Sequence, residues 1–65
     1  MIFVRYRDFD LAIRGFTIKD EEGNYNIYLN ARYSFPQIRR TLAHELNHIN
    51  RGDFEKRVSA HILEQ

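Results

Sequence analysis

The hydrophobic spacing of this chain changes once, at Tyr33-Ser34-Phe35-Pro36, and that change restricts the fold to strands followed by helix. Before it, apolar residues recur at every second position. Ile2, Val4 and Tyr6 form one such run, Phe16 and Ile18 alternate with Thr17 and Lys19, and Ile27 and Leu29 alternate with Asn26 and Tyr28. The turn-rich Asp20-Glu21-Glu22-Gly23-Asn24 joins the last two runs, so Gly15 to Asn30 reads as a β-hairpin. Two strands do not hold alone, and the run from Ile2 to Tyr6 supplies a further strand. After the change, Ile38, Leu42, Leu46 and Ile49 make the apolar stripe of a helix running from about Phe35 to about Arg51. Ser34 with Gln37 matches a capping box, Tyr33 and Ile38 match a hydrophobic staple, and Pro36 is tolerated in a first helical turn. Gly52 is a natural left-handed stop, and Asp53 then caps a short second helix with Phe54, Val58 and Ile62 on one face.

The expected fold class is therefore α+β: a small antiparallel sheet packed on one long helix, with a second helix at the carboxy end. No repeat or linker divides the 65 residues, which read as a single domain. A chain of this size buries only about 60% of its unfolded surface, so a metal or partner has stability to contribute. The absence of cysteine excludes disulfides, zinc ribbons and thiol nucleophiles, leaves metal binding to histidine and carboxylates, and is compatible with a cytoplasmic location. No apolar run approaches the roughly 20 residues that span a bilayer, and Arg5 comes too early for a signal peptide, so neither a membrane nor secretion is expected. Ten basic against nine acidic residues is not the excess of a dedicated nucleic-acid binder. Arg39, Arg40, Arg51 and Arg57 have no aromatic stacking platform among them and read as solvated surface.

Chemistry is concentrated at His44-Glu45-Leu46-Asn47-His48, an HExxH sequence inside the predicted helix. Four residues of helix turn through about 400°, so His44 and His48 lie one turn apart on one side, and both imidazoles can reach one zinc ion at about 2.0–2.1 Å. Glu45 projects beside them, placed to accept a proton from a water acidified by the metal. On a helical wheel the histidines fall roughly opposite the apolar stripe, toward a cleft or solvent. A catalytic zinc takes three protein ligands and keeps an open position. Three candidates for the third ligand lie downstream: Asp53, which has a competing role as a cap; His61, on the apolar side of the second helix; and Glu64, off that side, which would give a His₂Glu set. For polarising a carbonyl, Tyr28, Tyr33 or an arginine are available and no spacing separates them.

The stretch Thr41-Leu42-Ala43-His44-Glu45-Leu46-Asn47-His48-Ile49 resembles the ImmA/IrrE family of small zinc metallopeptidases, common in phages and mobile elements. Gly15-Phe16-Thr17-Ile18, Tyr28-Leu29-Asn30-Ala31-Arg32 and Gly52-Asp53-Phe54 resemble its short members in order and spacing, so the likeness runs from about Gly15 to Glu64. It implies a minimal zincin-like core, with His44, His48 and Glu64 as zinc ligands and Glu45 as general base in peptide-bond hydrolysis. It also implies repressor-like regulators as substrates, and a hairpin edge that pairs with an extended peptide. The family usually continues beyond that glutamate, whereas this sequence stops at Gln65, so the chain reads as a minimal member or as a piece of a longer one. The competing reading is an interaction module that binds a regulator without cutting it.

Overall fold

The computed structural model of the chain describes residues 1–54 and the backbone of residues 62–64. Its elements, in chain order, are β1 (Ile2–Arg7), β2 (Gly15–Lys19), β3 (Tyr25–Asn30), α1 (Phe35–Asn50) and β4 (Ile62–Glu64). The strands form one sheet in the order β1-β3-β2-β4. The hairpin is present, with Gly15 opposite Leu29 and Lys19 opposite Tyr25. The sheet is mixed where an antiparallel one was expected, because β1 lies beside β3 and runs parallel to it, from Ile2 opposite Tyr25 to Arg7 opposite Asn30.

Asn30 explains that arrangement. Residues 8–14 must carry the chain from the end of β1, across the end of β3, to the start of β2. The fully buried Asn30 side chain pins this crossing, donating to the carbonyls of Phe9, Asp10 and Ile13 at 3.1, 3.1 and 2.7 Å. Its Oδ1 accepts from the amides of Phe9 and Arg32, and its own amide donates to the Arg14 carbonyl at 3.0 Å. A buried amide with its hydrogen-bonding capacity used holds the loop in one conformation.

α1 packs on β2 and β3. Ile27, Leu29 and Ile38 form the core between them, with Tyr33, Leu42, Leu46 and Ile49 packed around it. The period of two in β2 holds, but the face turned to α1 is that of Gly15 and Thr17, both buried. Phe16 lies on the other face, where its ring stacks on Tyr28 and meets Phe9. Ser34 stands at the amino end of α1 as expected, yet its side chain makes no capping hydrogen bond, so the capping box is not formed. The second helix is also corrected in part: Val58 and His61 lie outside the described residues, while Ile62 to Glu64 form β4, antiparallel to β2.

The hairpin turn is organised by Asp20, whose Oδ1 accepts from the amides of Glu22 and Asn24 at 3.0 and 2.9 Å. The Asn24 amide holds the Asp20 carboxyl below the usual carboxylate range; desolvation opposes it, and the Glu22 amide and the side chains of Asn24 and Asn26 add to it. A depressed folded-state pKa means that the turn's contribution is complete above the ordinary value of 3.8 and is lost as pH falls through the lower one. The protection factor of the Asn24 amide, its exchange rate relative to the intrinsic rate at each pH, is therefore expected to drop only in acid, and Asp20→Asn is expected to remove that acid step. An Asn24 amide indifferent to acid in the wild type would contradict this.

Candidate metal centre

His44 and His48 sit in the last two turns of α1, and their surroundings follow from how the helix ends. Gly52 adopts φ 71°, its amide donates to the Ile49 carbonyl at 3.0 Å, and the Asp53 amide donates to the His48 carbonyl at 3.1 Å. This pair of bonds is the Schellman arrangement, which needs a residue at ease in the left-handed region. The reversal carries Asp53 back alongside the helix, where its Oδ2 lies 2.7 Å from His48 Nδ1. Phe54, 3% exposed, anchors the reversed chain with its ring edge on Tyr25.

A carboxylate at Nδ1 places the His48 proton there and leaves the Nε2 lone pair for another partner, the tautomer that a metal ligand requires. That Nε2 lies 3.1 Å from His44 Nε2, with the ring planes at 87°. Two nitrogens held tetrahedrally at 2.0–2.1 Å from one zinc would stand about 3.3 Å apart, so the imidazoles are already at chelating separation. His44 is exposed and His48 half-buried, which keeps the pair accessible from outside. The residues present thus fit two ligands of a zinc site.

Glu45 is fully buried, on the side of α1 that meets β2. Its Oε1 accepts a hydrogen bond from Thr17 Oγ1 at 2.7 Å. Burying a carboxylate is costly unless it is hydrogen-bonded, and the Thr17 hydroxyl meets part of that cost. Thr17, itself fully buried, was missed in the sequence because a lone hydroxyl in an alternating strand looks like an outward-facing residue. The contact depends on Gly15, two residues earlier on the same face. A Cβ there would lie 2.7 Å from the Tyr28 carbonyl oxygen and 2.8 Å from Thr41 Cγ2, so only glycine lets α1 approach β2 this closely. Gly15→Ala is expected to cost about 1–3 kcal/mol in urea unfolding, as overpacking does, and to lengthen the Thr17–Glu45 contact. Unchanged stability would show the helix to be less tightly seated.

The third-ligand candidates separate by position. Asp53 stands behind His48, on the Nδ1 side of the ring, as the group that orients a ligand. His61 lies outside the described residues. Glu64 is on β4 and not on a helix; its backbone pairs with Phe16, while Leu63 pairs with Thr17, the β2 residue turned to α1. The register position of Glu64 is therefore on the sheet face away from α1. Among the described residues no group of three His, Asp, Glu or Cys side chains is placed to hold one metal ion. The outer edge of β2, which the family resemblance offers to an extended peptide, carries β4. Of the residues considered for polarising a carbonyl, Tyr28 stacks on Phe16 on the far face, and the Tyr33 hydroxyl donates to the Leu11 carbonyl. Arg14 and Arg40 line a cavity with His44.

Comparison with known families agrees with these observations. The peptidase family described as the IrrE N-terminal-like domain matches over residues 1–64. The chain belongs to this family. No curated protein and no solved structure matches it. The IrrE-like chain is thus a small α+β domain of a peptidase family whose members are in general zinc-dependent. Among the described residues, no helix is long and apolar enough to cross a membrane.

Proposed function

We propose that this chain is a zinc-dependent peptidase domain in which His44 and His48 hold the metal and Glu45 is the general base. The observation that carries the proposal is the 3.1 Å separation of the two Nε2 atoms, with His48 oriented from behind by Asp53. When bound, zinc supplies Lewis acidity to a scissile carbonyl and to the attacking water. Glu45 accepts a proton of that water at Oε2 and returns it to the departing amine, while Thr17 holds Oε1 and fixes the carboxylate plane. Peptide bonds of a repressor-like regulator, in a phage or mobile-element setting, are the substrates that the family resemblance supports, and a cysteine-free chain suits the cytoplasm.

Glu64 completes the ligand set that the resemblance implies. In β4 its backbone pairs with Phe16, so zinc is expected to perturb the β2–β4 amides, and Glu64→Ala to weaken zinc binding by more than 100-fold, beyond the roughly 10- to 100-fold of a supporting residue. Unchanged affinity in Glu64→Ala would leave Glu64 as a strand residue. Function is tested with a blocked peptide library: the zinc-loaded chain is expected to cleave it and the chelated chain not to. A second reading, a zinc-binding module that holds a regulator without cutting it, is favoured by the complete burial of Glu45. Zinc binding without cleavage of any peptide would select it.

A further inference from the structure

Arg14, Gln37, Arg40, Thr41 and His44 line a cavity of about 260 Å³ beside the metal centre. We propose that this cavity is a subsite for a carboxylate of the peptide substrate, bound by Arg14 and Arg40; the inference rests on the peptidase reading and names its substrate class.

Three observations carry it. First, the described lining contains two guanidinium groups and no acid, and among the described residues neither arginine has an ion-pair or hydrogen-bond partner for its side chain. Both arginines are exposed, and two cations lining one cavity without a counter-charge favour an anion placed between them. Second, Arg14 is set on a fixed support: its carbonyl accepts from the Asn30 amide at 3.0 Å, and the neighbouring Ile13 carbonyl accepts from the buried Asn30 side chain at 2.7 Å. Arg40 comes from α1, one turn before His44, so the two cations stand on separate rigid elements. Third, the volume lies just below the roughly 300 Å³ at which small-molecule sites begin, which suits one acidic side chain or chain end better than a whole ligand. No aromatic residue is among the described lining residues to stack a base, so a carboxylate is favoured over a nucleic-acid phosphate. Since His44 also lines the cavity, a carboxylate held there places the adjoining peptide backbone at the metal centre.

The test reads binding on the metal-free chain, so that it stands whether or not the chain binds zinc or cuts. Three probes are titrated at low salt by NMR: acetyl-Ala-Ala-Asp-Ala-Ala-amide, its Asn analogue, and acetyl-Ala-Ala-Ala with a free carboxyl end. The Asp peptide or the free acid is expected to bind at least tenfold tighter than the Asn peptide. Arg14→Gln and Arg40→Gln should each remove about tenfold of that preference, the size of a charge-assisted hydrogen bond. Arg39→Gln, an exposed neighbour outside the lining, should leave it intact. Preference for the Asp peptide assigns the site to an internal acidic side chain, and preference for the free acid assigns it to a chain terminus. Equal affinity for all three probes, no binding at millimolar peptide, or a preference that survives Arg14→Gln with Arg40→Gln would overturn the proposal. So would arginine-dependent binding of a short single-stranded DNA in excess of either carboxylate peptide.

Discussion

Glu45→Gln is expected to reduce hydrolysis by about 10²- to 10⁴-fold, the range supplied by a positioned general base, with zinc affinity nearly unchanged. The substitution keeps the size of the side chain and an oxygen that can accept from Thr17 Oγ1, so the buried contact between α1 and β2 survives. What it removes is the ability to take a proton. Glu45→Ala is a poorer experiment, because it opens a cavity at a fully buried position and leaves the Thr17 hydroxyl without its acceptor, which confuses stability with catalysis. Turnover of the Gln variant equal to the wild type, measured on any peptide the wild type cuts, would remove Glu45 from the mechanism.

His48→Ala is expected to abolish stoichiometric zinc binding, whereas Asp53→Ala should weaken it by about 10- to 100-fold, as loss of a group that orients a ligand does. The difference follows from the two sides of one ring: Nδ1 faces Asp53 Oδ2 at 2.7 Å, and Nε2 faces His44 at 3.1 Å. Without Asp53 the imidazole can still ligate, but its tautomer and orientation are no longer fixed. Competition titrations of both variants against a chelator of known affinity check this ordering, and an Asp53→Ala loss as complete as that of His48→Ala would make Asp53 a ligand.

Much of this architecture was legible in the residues, and its failures have local causes. The hairpin, the span of α1 and its end at Gly52 follow from period and turn chemistry, signals that act over a few residues. The HExxH spacing places two histidines one turn apart wherever a helix forms. The parallel pairing of β1 was not legible, because it depends on Asn30 reaching back about 20 residues to pin residues 8–14. Nor was the burial of Glu45, which needs Gly15 and Thr17 to bring β2 against the helix; a glycine followed two residues later by a hydroxyl was the available signal. The spacing of Phe54, Val58 and Ile62 suits a helix, yet Ile62 to Glu64 pair with the edge of β2 as a strand, a long-range partner that the local spacing does not reveal. Asp53 could be seen as ligand or cap, but only the left-handed turn at Gly52 shows it facing His48.

The central claim, that His44 and His48 form a preset metal centre, is tested most directly by the zinc content of the purified chain after incubation with excess zinc and desalting near neutral pH. One zinc per chain is predicted, falling away in acid as protons compete for the imidazole nitrogens, and absent from His44→Ala and His48→Ala. A zinc-free wild-type chain, or one whose zinc survives both substitutions, would contradict the account.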